Sequence, residues 1–120
     1  MSLVIDCISD IHGEPPILDG GDLLIVAGDL TACDTAINWV RFETWICKQN
    51  YKEKIVIAGN HDNFLQSMDE HRMWRYWDKV GITYLCNSVI EFEVFKIWGA
   101  PWTKNFLGQN KHCMAFGLDF

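Results

Sequence analysis

Three apolar runs in this chain end in the same way. Leu3-Val4-Ile5-Asp6-Cys7-Ile8 runs into Asp10-Ile11-His12-Gly13. Leu23-Leu24-Ile25-Val26-Ala27 runs into Gly28-Asp29, and Ile55-Val56-Ile57-Ala58 into Gly59-Asn60-His61-Asp62. Short, nearly continuous apolar runs bounded by turn residues predict strands buried on both faces, as in parallel sheets. The pattern predicts strands over 3–9, 22–27 and 54–58. Pro15, Pro16, Gly20 and Gly21 mark the first connection as a loop holding at most one helical turn.

Between the second and third runs the period lengthens. From Thr35 to Asn50 apolar residues recur at 36, 39, 40 and 47, with 42 and 46 beside them. This predicts a helix over 35–50, with Asp34 as its N-cap. Strand, helix, strand is a right-handed βαβ unit by rule, and it brings Asp29 and Asn60 to one edge of a sheet. A second helix is predicted over 64–80, with Phe64, Leu65, Met68, Trp74 and Trp77 as its buried stripe and Gly81 as its stop. His71, Arg72 and Arg75 read as its solvated face. Residues 82–85, 89–94 and 95–98 read as short strands.

In open α/β sheets, ligands bind just outside the carboxyl ends of the strands. The three polar turns therefore converge. Each residue alone has a plain alternative. Asp10 and Asp29 could be loop carboxylates or helix caps, His12 a satisfied loop histidine, and Asn60 and Asp62 an ordinary turn. Taken together and in this order, they favour a metal site.

The order D-x-H, G-D, G-N-H-D resembles the calcineurin-like metallophosphoesterases. The segment Ile97-Trp98-Gly99-Ala100-Pro101-Trp102-Thr103 is similar to the branch of metallophosphoesterase-domain-containing proteins. The resemblance implies an α/β fold over 1–120, the N-terminal portion of a metallophosphoesterase-type β-sandwich flanked by helices, as a single incomplete domain. It also implies a metal-dependent phosphoesterase acting on phosphodiesters or phosphomonoesters. Two divalent ions (manganese, iron or zinc) about 3.5–4 Å apart would generate hydroxide and clamp the attacking and leaving oxygens. Carried over by motif, Asp10 and His12 bind the first metal, Asp29 bridges, and Asn60 binds the second. His61 stays unligated and protonates the leaving oxygen.

The family completes its sites with three later histidines, two of them as G-H-x-H. After His61 this chain has only His71 and His112, and neither fits that pattern. The chain is therefore expected to be truncated and weak or inactive alone. The competing reading is a non-catalytic binding or scaffold protein that keeps the fold.

Composition adds exclusions. A formal net charge of −6 argues against strong nucleic-acid binding. Five cysteines without a C-x-x-C pair point to free thiols in a reducing, cytoplasmic setting, with Cys7 as a buried small hydrophobe. No apolar run is long enough to span a bilayer. Trp98 reads as core packing, and exposed apolar surface where a second sheet would pack predicts a homo-oligomer.

Overall fold

A computed structural model describes residues 2–119. Its centre is a four-stranded, wholly parallel sheet in the order β1-β2-β3-β4, formed by Ile5–Ile8, Gly21–Ala27, Tyr51–Ile57 and Thr83–Tyr84. Ile8 pairs with Val26, Val26 with Val56, and Val56 with Tyr84. The register thus carries the carboxyl ends of β1, β2 and β3 to one edge, as the polar turns required.

Side chains alternate across the sheet. Leu24, Val26 and Val56 point to one face, where they pack with Trp39, Phe42 and Ile46 of α1 (Ala36–Lys48) and Met73 and Trp77 of α3 (Glu70–Asp78). Leu23, Ile25, Ile55 and Ile57 point to the other. That face is covered by Ile90, Phe92 and Ile97 of an antiparallel hairpin, β5 (Ser88–Phe92) with β6 (Phe95–Gly99). A last short pair, β7 (Thr103–Lys104) parallel to β8 (Gly117–Leu118), follows. No helix among the described residues is long and apolar enough to cross a membrane.

Several expectations needed correction. β1 is an edge strand, paired on one side only, so it is part exposed rather than buried on both faces. Cys7 lies on the face shared with Ile5, the hairpin does not cover it, and it is exposed. The N-cap of α1 is Thr35, whose hydroxyl accepts from the Asn38 N–H at 3.4 Å. Asp34 instead turns its carboxylate to the Trp39 indole N–H (2.7 Å) and the Phe64 backbone N–H (3.2 Å), linking two helices. In α1 only Trp39, Phe42 and Ile46 are buried, so the apolar stripe is narrower than expected, and Val40 faces solvent.

The helix expected over 64–80 is two helices, α2 (Asn63–Ser67) and α3. Ser67 donates its hydroxyl to the Phe64 carbonyl at 2.6 Å, and Asp69 caps α3 by accepting from Arg72 N–H at 2.9 Å. Both side chains compete for backbone groups and break the helix between them. The break shifts the buried stripe to Leu65, Met73 and Trp77 and leaves Trp74 exposed. Gly81 stops the helix as expected. Its φ of 77° lets Ile82 N–H reach the Trp77 carbonyl at 3.0 Å. Trp98 is 62% exposed, not core. It sits on the outer side of the hairpin, opposite Val89.

Candidate metal centre

The three turns after β1, β2 and β3 interlock through backbone bonds. Asp10 N–H donates to the Gly28 carbonyl and His12 N–H to the Asp29 carbonyl, each at 3.0 Å. Gly28, with φ of 88°, lies so close to the third turn that a Cβ there would come within 2.9 Å of the Gly59 Cα. Only a residue without a side chain permits that approach.

Asp62 completes the lock. It is fully buried, and it accepts three backbone N–H groups: Gly59 at 2.7 Å, Asp29 at 2.8 Å and Leu30 at 3.0 Å. Burial pushes its carboxyl up to about 6 against the pull of those three donors. In return Asp29 Oδ1 accepts from His61 N–H at 3.0 Å. The second and third turns are thus crossed by reciprocal aspartate bonds.

This arrangement places Asp10, His12 and Asp29 in left-handed backbone, with φ of 55°, 46° and 56°. Such conformations cost non-glycine residues about 1–3 kcal/mol each and persist where surrounding structure forces them. Here all three strained residues point their chemistry at one place. His12 Nε2 lies 3.7 Å from Asp10 Oδ1 and 3.7 Å from Asp29 Oδ2. The His12 and His61 rings meet edge to face, with centroids 4.9 Å apart. One ligand atom each from His12, Asp29 and His61 lie within 4.8 Å of one another. Asp10 is the outer member. The Ser9 hydroxyl donates to it at 2.7 Å and, as the leading cause, holds its carboxyl below the usual range.

The donor set fits a divalent cation. Oxygen and imidazole ligands sit about 2.0–2.2 Å from such an ion, so neighbouring ligands lie about 3.0–3.4 Å apart. The two 3.7 Å separations from His12 need only a few tenths of an ångström of contraction, whereas the set that includes His61, spread within 4.8 Å, needs more. Asn60 is fixed beside this cluster. Its Nδ2 donates to the Cys113 carbonyl at 3.0 Å, which leaves Oδ1, the atom a metal would take, facing away from that bond. His61, read from the sequence as unligated, is part of the close cluster. Its Nδ1 lies 3.5 Å from Cys113 Sγ.

The segment that supplies Cys113 was not legible as part of the site. A 3₁₀ turn, Lys111–Cys113, lays itself along the third turn. Ala115 N–H donates to the Asn60 carbonyl at 3.1 Å, and Asn63 Nδ2 to the His112 carbonyl at 3.0 Å. The roles of Asp62 and Asp34 were also missed. A carboxylate directly after a candidate ligand could have signalled a supporting acceptor, but only burial distinguishes that role.

The fold and the cluster agree with what comparison shows. The sequence profile described as calcineurin-like phosphoesterase matches residues 3–117. The chain belongs to that family. It is 36% identical over 112 residues to a UPF0046 protein of Caenorhabditis elegans, covering 80% of this chain and 40% of that protein. It is 30% identical over 125 residues to metallophosphoesterase domain-containing protein 1 of Homo sapiens, covering 85% of this chain and 38% of that one. A protein of Emericella nidulans named probable rhamnogalacturonate lyase C is 36% identical over 107 residues, which are 81% of this chain but 10% of its own length. The matched family is one of phosphoesterases, and the chain spans less than half the length of each of these relatives.

Proposed function

We propose that the chain holds divalent metal at the carboxyl edge of its sheet and contributes that site to the hydrolysis of phosphodiesters. The observation that carries this reading is the convergence of Asp10, His12 and Asp29, all three in left-handed backbone, with His12 Nε2 3.7 Å from a carboxylate oxygen of each aspartate. In the reading, Asp10, His12 and Asp29 would hold one ion, and Asp29 and Asn60 would contribute to holding a second. The ions, when bound, supply Lewis-acid activation of water and neutralise phosphoryl charge.

The chain's own groups do the rest. Asp29 is buried and presents Oδ2 to the site while Oδ1 is tied to His61 N–H. That bond fixes the backbone from which the His61 imidazole projects. His61, held at Nδ1 beside Cys113, keeps Nε2 for proton donation to the leaving oxygen. The Asn60 amide, anchored on the Cys113 carbonyl, orients Oδ1 as a neutral ligand.

The chain spans 40% of the worm relative and 38% of the human one. Among the described residues, three side chains form the close metal-capable cluster, and nothing comparable stands on the Asn60 side. The reading therefore expects one tight and one weak metal site, with slow turnover by this chain alone. Equilibrium dialysis with Mn²⁺, alongside hydrolysis of bis-p-nitrophenyl phosphate, tests it. Tight uptake of one ion, lost in Asp29→Ala, is expected. Unchanged uptake in that variant would sink the assignment. Metal uptake with no turnover by any longer form containing this segment would favour the scaffold role.

A further inference from the structure

Beside the cluster lies a cleft of about 290 Å³, lined by both His61 and His112. Thr31, Cys33, Asp34 and Asn63 also line it; Cys33 brings a free thiol, a weak donor, and the other three are already engaged. The Thr31 hydroxyl accepts from Asp34 N–H at 2.9 Å. Asp34 is held by Trp39 and Phe64. Asn63 Nδ2 is committed to the His112 carbonyl. His61 rests against Cys113 at Nδ1.

His112, an exposed residue, differs from these engaged groups. Its backbone is pinned at both ends: its N–H donates to Asn110 Oδ1 at 2.9 Å, and its carbonyl accepts from Asn63. Its ring has no protein partner among the described residues. A side chain whose backbone is fixed on both sides, and whose imidazole is left unspent at a cleft, is available to a ligand there.

We propose that this cleft receives the organic substituent of the phosphoester and that His112 contacts the substrate, donating an imidazole N–H to one of its ester or phosphoryl oxygens. The inference rests on the metal-centre reading above, which seats the phosphoryl group against His61. The cleft continues from His61, so the substituent leaving that group enters it. Its volume is near the lower end of small-ligand sites. It suits a group of phenyl or single-sugar size and excludes a folded macromolecule. The imidazoles of His61 and His112 then both line the space the ester enters. This residue sits in the 3₁₀ turn of this chain and belongs to no G-H-x-H motif.

Phenylphosphonate is the probe, because it carries a phosphoryl head and an aryl group and its P–C bond resists hydrolysis. Calorimetry on the Zn²⁺-loaded chain compares wild type with His112→Ala and His112→Gln, and Zn²⁺ affinity is measured on the same samples. His112→Ala is expected to weaken phenylphosphonate about tenfold, the equivalent of about 1.4 kcal/mol, while Zn²⁺ affinity stays within about twofold. His112→Gln, which keeps an N–H donor, is expected to recover part of the loss. The His112 ring resonances should shift on addition of phenylphosphonate to the wild type. Equal phenylphosphonate affinity in wild type and His112→Ala, with unmoved ring resonances, overturns the inference and leaves the metal centre standing. Zn²⁺ uptake with no phenylphosphonate binding does the same. Failure to bind Zn²⁺ overturns the metal-centre reading, and this inference with it.

Discussion

The candidate site has two sides built on different physical terms. On one, the turns after β1, β2 and β3 are locked by a buried carboxylate, three short bonds to backbone N–H groups and a glycine-only approach between chains. On the other, the Gln109–Met114 segment is held by exposed or half-buried polar contacts, mostly side-chain amides on carbonyls. The first side tolerates almost no change, because each broken bond leaves a desolvated group without a partner. The second exchanges its bonds with water at little cost. Metal ligands that must hold position to a fraction of an ångström sit on the rigid side. The cleft wall that would adapt to a substituent sits on the looser side.

The sharpest way to break this contrast is Asp62→Ala. It strands two buried backbone donors, those of Asp29 and Leu30, and the half-buried one of Gly59, and buried groups of this kind cost about 1–3 kcal/mol each. We expect a loss of about 4 kcal/mol in urea unfolding, together with loss of metal binding. A loss under 1 kcal/mol would mean the lock is not what holds the turns.

The same residue predicts a pH trend for the metal-free chain. The folded-state carboxyl sits near 6, above its ordinary value of 3.8. The folded state therefore holds this proton more tightly than the unfolded state. That contribution is complete below about pH 4 and is lost as pH rises through about 6, amounting to about 3 kcal/mol at 1.36 kcal/mol per unit. Unfolding curves for wild type and Asp62→Asn at pH 4 and pH 7 should differ by this trend. A stability gap that is the same at both pH values would refute it.

Gly28→Ala should cost about 2 kcal/mol, from the strained φ of 88° and the contact with Gly59. Thermal unfolding would read it, and a neutral result would mean that the turns separate easily. The smallest effect is expected on the other side. Asn63→Ala removes an exposed amide bond to the His112 carbonyl and a longer one, 3.4 Å, to the His61 carbonyl, and should cost under about 1 kcal/mol. It should, however, raise amide hydrogen exchange over 110–114. An unfolding penalty as large as that of Asp62→Ala would erase the contrast between the two sides.

Much of this was legible in the residues. The runs at 22–27 and 54–58 lie within β2 and β3 almost to the residue, and the helical period between them is α1. Asp10, His12, Asp29, Asn60 and His61 all fall on the turns at the predicted sheet edge. The first run was read too generously, because apolar composition does not tell an edge strand from a central one. Only the pairing order decides that. The second helix was read as continuous because its apolar period survives the break at Ser67-Met68-Asp69, where side chain–backbone bonds end α2 and start α3.

By itself, the sequence determined the parallel α/β core, the convergence of three polar turns and the family they belong to. These follow from local period and from motifs of a few adjacent residues, which need no knowledge of distant partners. Tertiary structure alone decided the rest. It chose Asp62 as the buried lock, drew His61 into the cluster, sent Asp34 to brace two helices and brought His112 and Cys113 across about fifty positions of chain to the third turn. The reason is physical. A carboxylate, an imidazole or a thiol carries the same chemistry at every position in a sequence. Burial and the one or two groups within about 4 Å decide which part of that chemistry it uses.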